Sequence, residues 1–177
     1  MFPDESLFRP PTVVTFDDSI RALWPDISTS AFNTIESLYP PYEFDFNDTT
    51  RFLQCDNDYQ FNCKIYALSN AFNSETYNYY FSVPPAIHTT DDPYTFNGGD
   101  HEADGFVTNS TVADILQKYL ISFIKTGNPN TEYSGLPNWP VYATGGGTEI
   151  NINETFIDLM PTDLDTPQCQ WWVQGLY

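Results

Sequence analysis

The chain has 177 residues, of which 41% are hydrophobic and 17% aromatic, so it can bury the core of one domain and does not have the composition of a disordered protein. Its 24 acidic and 6 basic residues give a formal net charge of -18. This charge repels nucleic acid and anionic membranes, so neither is an expected partner. The sequence contains no apolar run long enough for a transmembrane helix.

Three Asn-x-Thr sequons predict N-glycosylation at Asn47, Asn109 and Asn153, and therefore an extracellular, secreted protein. The low lysine content suits the same location. The first residues, MFPDESLF, nevertheless lack the basic start and apolar core of a signal peptide. A secreted surface without an export signal indicates that the sequence is not a complete protein.

Helical patterns dominate the first part of the chain. A capping box at Thr15 predicts a short helix that Pro25 ends, and a second helix is predicted from Ser28 to the Pro40-Pro41 pair. A longer helix is predicted from Thr49 to Phe72, because apolar residues recur three and four positions apart.

The next stretch reads YNYYFSVPPAIHTTDDPYTF and starts as a strand, with Tyr77, Tyr79 and Phe81 alternating with more polar residues. Pro84-Pro85 ends the strand, since neither ring can donate to a ladder. His88 follows on a loop, a common place for a catalytic base, although a loop histidine can also be a bystander.

The acidic and aromatic residues near His88 are expected to have structural roles. We expect Asp91 and Asp92 to orient or solvate the loop. The aromatic residues are expected mainly in the core, with lining of a substrate pocket as the alternative. These aromatic residues are Phe81, Tyr94 and Phe96.

The remaining elements follow in order. The glycine-containing loop NGGDHEADGF holds His101, which we expect to be exposed to solvent. The clearest helix runs from Thr111 to Thr126, with Gly127 as its C′ residue. Two short strands, EININ and TFIDL, precede a final helix that begins at Thr166-Pro167. The face of the clearest helix predicted to be buried comprises Val112, Ile115, Leu116, Tyr119, Leu120 and Phe123.

The three cysteines allow one disulfide. Cys55 and Cys63 are about 12 Å apart along one predicted helix, whereas a disulfide needs Cα atoms within about 7 Å. This spacing leaves Cys169 to pair with either of them, with three free thiols as the alternative. No cysteine or histidine spacing typical of a metal site occurs, and we expect no metal or other cofactor.

The sequence lacks the usual marks of a nucleophile. It contains no Gly-x-Ser-x-Gly, no glycine-rich phosphate loop, no His-Glu-x-x-His and no EF-hand pattern. A candidate base is therefore present without a candidate nucleophile.

The segment PPAIHTTDDPYTF resembles the catalytic-histidine segment of the type-B carboxylesterase/lipase family, which includes the cholinesterases and secreted fungal esterases and lipases. That segment usually reads His-Gly-x-Asp/Glu-x-Pro-Tyr-x-Phe, which implies that His88 is the triad histidine. The amino-terminal PDESLF is similar to the family's Asp-Glu-Gly-x-x-Phe, which implies that Glu5 is the triad acid. Two departures are Thr89 and Ser6, each in place of a family glycine.

Further segments resemble the same family in the same order. The stretches ISFIKTGNPN and LPNWPVY are similar to its Phe-x-x-x-Gly-x-Pro-Asn and Trp-Pro-x-Tyr signatures. FNCKIYAL and QCQWW are similar to segments whose cysteines are bonded in many members. The resemblance therefore implies a disulfide between Cys63 and Cys169.

The resemblance implies an α/β fold: the C-terminal portion of an α/β-hydrolase, with the last sheet strands, their packing helices and an incomplete sheet. Residues 1–177 would form the C-terminal part of a single carboxylesterase type-B domain. The family's nucleophile elbow and oxyanion loop lie before the Glu5 segment. We therefore expect a segment of a secreted serine ester hydrolase acting on a small ester or lipid, inactive alone because the serine is absent. The alternatives are a non-catalytic carboxylesterase-like binding or adhesion module and an unrelated glycan-binding domain.

Overall fold

A computed structural model describes residues 15–73, 75–98, 107–142, 147–155, 157–162 and 164–175. The α-helices in these ranges are α1 Phe16–Leu23, α2 Thr29–Leu38, α3 Asp48–Asn57, α4 Cys63–Ala71, α5 Asp92–Thr95, α6 Ser110–Thr126 and α7 Pro167–Trp172. The strands are β1 Tyr79–Phe81, β2 Gly147–Ile152 and β3 Ile157–Thr162. None of the helices in the described ranges is long and apolar enough to cross a membrane.

The three strands form one sheet in the order β1-β2-β3. β1 runs parallel to β2, with Tyr79 opposite Ile150, and β2 runs antiparallel to β3. Parallel neighbours need a crossover connection, and α5 and α6 lie in it. The resulting core cluster comprises Phe81, Val83, Tyr94, Val112, Ala113, Leu116, Tyr119, Trp139, Ile150 and Ile152.

Helix α6 confirms the predicted element but not its whole buried face. Val112, Leu116 and Tyr119 are buried as predicted, whereas Phe123 is 47% exposed. Ser122 takes the inward position on the last turns, and its hydroxyl donates to the Asn128 carbonyl at 2.7 Å. A polar contact to the following turn therefore takes the inward position, while the half-exposed Phe123 ring packs edge-on against Tyr77 at a centroid distance of 5.8 Å.

The other helices surround a second cluster, composed of Phe16, Ile20, Phe32, Ile35, Tyr39, Phe52, Cys55, Cys63, Cys169 and Trp172. Thr15, Ser28 and Thr166 cap helices here, because each accepts a hydrogen bond from a backbone N–H in the first turn of the helix that follows. The caps at Thr15 and Thr166 confirm predictions made from the sequence. The guanidinium of the buried Arg51 links three helices. Its Cζ lies 3.7 Å from the Phe16 ring centroid, and its Nη2 lies 3.0 Å from Glu36 Oε1.

The long helix predicted from Thr49 to Phe72 is present with one irregularity. A π-helical turn, Asp58–Asn62, joins α3 to α4. Directly after it, Cys63 is bonded to Cys169 in α7, the pairing that the resemblance implied. Cys55 is buried and free. The bond closes a loop with a sequence separation of 106, which in the chain-entropy model stabilises the fold by about 4–5 kcal/mol.

The loop after β1 has an unusual backbone. Ala86 has a φ of 53° and Thr89 a φ of 69°, both in the left-handed region that favours glycine. Thr89 is the position where the resembling family has glycine. A β-branched residue at this φ is strained by about 1–2 kcal/mol. The strain falls on the residue directly after His88.

Replacing Thr89 by glycine should therefore raise the free energy of unfolding. The change removes the strain of a side chain at positive φ but makes the unfolded chain more flexible, so we expect a net gain of about 0.5–1 kcal/mol. Urea unfolding of the two proteins measures the difference. Thr89→Ala is the matched control, since it keeps a Cβ at the same φ. An alanine variant as stable as the glycine variant would contradict this interpretation.

Candidate functional site

His88 lies at the wall of a cavity of about 330 Å³ and is itself half-buried. The other lining residues are Val83, Pro84, Pro85, Ile87, Thr89, Thr90, Pro93 and Tyr94. Most of these side chains are apolar, and the polar groups among them come from His88, two threonines and one tyrosine. Such a cavity suits an organic group bound beside an imidazole that can accept or donate a proton.

Hydrogen bonds hold the segments on both sides of His88. Thr90 Oγ1 donates to the Ile87 carbonyl at 2.6 Å, which closes the turn around the histidine. The Tyr79 hydroxyl donates to Asp91 Oδ2 at 2.6 Å and so ties the loop to β1. Asp91 thus orients the loop, in agreement with the interpretation made from the sequence.

Tyr94 anchors α5 and one side of the cavity. It is 1% exposed, and its ring packs edge-on against Phe81 at a centroid distance of 5.2 Å. Its hydroxyl bonds with Thr108 Oγ1 at 2.9 Å. The core positions predicted for Phe81 and Tyr94 are confirmed, and Tyr94 also lines the cavity.

The core position predicted for Phe96 is wrong, because this side chain is 78% exposed. The prediction placed Phe96 in the core with the other aromatic residues and assigned no secondary structure to its segment. The segment is the short helix α5, with Phe96 as its C-cap. On a helix, two positions correspond to a rotation of about 200°, so a residue two after the buried Tyr94 faces away from the core.

An aromatic contact that the sequence did not indicate lies against His88. The Phe61 ring centroid is 5.4 Å from that of His88, with an angle of 43° between the ring planes. Phe61 comes from the π-helical turn, 27 residues before the histidine. Periodicity cannot reveal this contact, because a π turn shifts the faces of the helix that follows it.

A buried carboxylate, Asp58, lies at the start of that turn. It accepts hydrogen bonds from the Tyr39 hydroxyl at 3.0 Å, from Gln54 Nε2 at 2.9 Å and from Asn62 Nδ2 at 2.8 Å. Burial raises the pKa of Asp58, while the hydrogen bonds from Asn62, Tyr39 and Gln54 act to lower it. With this set of partners, Asp58 fixes the helix rather than offering a site for a ligand.

Two residues for which the sequence made predictions, Glu5 and His101, lie outside the described residues. The predictions concern Glu5 as the implied triad acid and the exposure of His101. Among the residues that the structure describes, no group of three or more histidine, cysteine or acidic side chains could hold a metal ion. The described lining of the cavity contains no serine or cysteine.

The three sequons share one local geometry. In each, the asparagine Oδ1 accepts a hydrogen bond from the backbone N–H of the threonine two residues later, at 3.0 Å. Asn47 is exposed, whereas Asn109 and Asn153 are half-buried. Asn109 differs further, since its Nδ2 donates to the Glu154 carbonyl at 3.0 Å, in the middle of the third sequon.

Comparison with known proteins places this geometry in a family. The sequence pattern described as "Carboxylesterase family" matches residues 28–172 of the chain. Carboxylesterase patB of Aspergillus clavatus is 36% identical over 62% of the chain and 19% of its own length. Secreted lipase 4 of Gibberella zeae is 26% identical over 96% of the chain and 34% of its own length. Bile salt-activated lipase of Bos taurus is 30% identical over 60% of the chain and 20% of its own length.

The crystal structure of Aspergillus niger EstA has the same fold over 97% of the chain and 38% of its own, with a TM-score of 0.71 and 18% identity. The predicted fold class is confirmed: the helices and three-stranded sheet are a portion of an α/β-hydrolase. The chain spans about a fifth to a third of the length of the curated relatives given above. Because the family pattern covers most of its residues, the chain belongs to the carboxylesterase family.

Proposed function

We propose that the chain is the C-terminal part of a single carboxylesterase type-B domain in a secreted serine carboxylic ester hydrolase. The observation that carries the proposal is His88 at the wall of an apolar cavity, within the segment that resembles the family's catalytic histidine. The chain's 38% share of the EstA fold supports its role as one part of a larger domain. In this proposal the nucleophile and the oxyanion hole belong to a preceding part of that domain.

His88 acts as the general base in this mechanism. It takes the proton of the serine hydroxyl while the serine oxygen bonds to the ester carbonyl carbon, and it returns that proton to the alcohol oxygen as the C–O bond breaks. Water then attacks the acyl-enzyme by the same route, releasing the acid and the free serine. Glu5 orients the imidazole and stabilises its protonated form.

The substrate in this proposal is a small ester or a lipid with an apolar group. The largely apolar lining around His88 favours such a group over a charged one, because an unpaired charge is costly to bury there. The printed names of the relatives, a carboxylesterase and two lipases, support the same substrate class. No cofactor or metal is required for this chemistry.

We also propose that the protein is extracellular and N-glycosylated. The Cys63–Cys169 disulfide supports an oxidising compartment, since such bonds are rare in the cytosol. The three sequons lie at helix starts or a turn with exposed or half-buried asparagines. The name of one relative, a secreted lipase, supports the same location.

The 177-residue chain alone should neither hydrolyse a short-chain p-nitrophenyl ester nor be labelled by a fluorophosphonate. The reason is that it carries a base without the activated serine and oxyanion donors, whose loss removes orders of magnitude in rate. Initial rates and mass spectrometry of the labelled chain measure this. His88→Gln is the matched control and should have the same background rate. Turnover that disappears in His88→Gln, or labelling of a serine, would contradict the proposal.

Secretion of the chain from a eukaryotic host should yield glycan at Asn47 at higher occupancy than at Asn109. Asn47 is exposed, whereas Asn109 Nδ2 is held in a hydrogen bond to Glu154. Deglycosylation in ¹⁸O water followed by peptide mapping measures the occupancy at each site. Thr49→Ala is the control, because it removes the sequon and keeps the Asn47 cap. Equal occupancy, or occupancy greater at Asn109, would contradict the prediction.

A further inference from the structure

The contact between Phe61 and His88 joins two parts of the structure, the helices α3 and α4 and the sheet that contains β1. His88 follows β1 of the sheet, whereas Phe61 lies in the π-helical turn between α3 and α4. The Phe61 side chain belongs to neither of the two core clusters. It is half-buried, and its centroid distance of 5.4 Å from the imidazole lies in the range preferred by aromatic pairs.

The backbone that carries Phe61 is held on both sides. Asp58, at the start of the turn, accepts hydrogen bonds from three side chains, one of which is Asn62 at the end of the turn. Directly after the turn, the Cys63 disulfide fixes the chain to α7. These contacts fix the backbone on both sides of Phe61, and therefore the position from which its ring contacts His88.

The backbone that carries His88 is held in a different way, by the turn that Thr90 closes and by the hydrogen bond from Tyr79 to Asp91. Its loop contains two residues at positive φ, Ala86 and Thr89, and its regular hydrogen bonds are those of single turns. The imidazole borders the cavity, so any rotation of the ring changes which of its nitrogens faces a bound ester. A ring packed against the imidazole from outside the loop limits that rotation.

We propose that Phe61 is a positioning residue for His88, which holds the imidazole at the cavity wall. An aromatic pair at this centroid distance is stabilised beyond the burial of its area, by an amount that corresponds to about 2- to 10-fold in an equilibrium. The π-helical turn sets the direction of the Phe61 side chain, and such turns occur frequently at functional sites. The catalytic part of this inference rests on the proposed function.

The ring protons of His88 test the contact without any catalysis. In the 177-residue chain, His101→Gln leaves one histidine, so its ¹H signals are assigned directly. We expect Phe61→Leu to shift the His88 ring signals towards those of the urea-unfolded chain, because the ring current of the aromatic side chain is lost. Phe61→Tyr should retain the shift, since it retains the ring. Phe72→Leu, at an exposed phenylalanine, is the matched control and should have no effect.

A second measurement separates positioning from mere packing. Diethylpyrocarbonate should modify His88 about 2- to 10-fold faster in Phe61→Leu than in Phe61→Tyr, because the imidazole is freer to react once the aromatic contact is lost. His88 signals and rates that are the same with leucine and phenylalanine would overturn the proposal. These readouts do not depend on ester hydrolysis, so a failure of the proposed function would leave them informative. In the larger ester hydrolase of the proposed function, Phe61→Leu should lower kcat and leave KM unchanged. An unchanged kcat would overturn the effect of Phe61 on catalysis and leave its contact with His88 standing.

Discussion

The disulfide between Cys63 and Cys169 is the constraint on which the arrangement of the helices depends. It ties the last helix to the start of α4, across a sequence separation of 106. Around it, the Trp172 indole donates to the Tyr39 hydroxyl at 2.8 Å, and that hydroxyl donates to Asp58. Because Asp58 begins the π-helical turn, this chain of contacts runs from the C-terminal helix to the residues next to the candidate site.

The sheet and the helices contribute differently to the candidate site. The sheet supplies the loop that carries His88, and Tyr79 in β1 holds that loop through Asp91. The helices supply Phe61, which packs against the imidazole from the π-helical turn next to the Cys63–Cys169 disulfide. The loop itself accepts a strained residue, Thr89. A strained loop steadied by a neighbouring element is a familiar arrangement where geometry at a functional group matters.

Much of the fold could be predicted from the sequence because its signals are local. Thr15 and Thr166 cap helices as predicted, Ser28 caps the helix that was predicted to begin near it, and Gly127 ends α6 at a φ of 74°. The family motifs likewise predicted the disulfide between Cys63 and Cys169. What the sequence could not give is non-local: the π turn, which depends on tertiary hydrogen bonds, and the contact of Phe61 with His88. The burial of Phe96 was mispredicted because the short helix α5, which turns this side chain away from the core, was not predicted from the sequence.

We propose that this chain completes a serine esterase by supplying its base and acid. Mapping the 5′ end of the mature transcript tests it most directly. The account predicts that the reading frame continues upstream of Met1 and encodes a Gly-x-Ser-x-Gly elbow and an export signal before the Glu5 segment. An in-frame stop codon between the transcript's 5′ end and Met1 would contradict it and would favour a non-catalytic module of the same family.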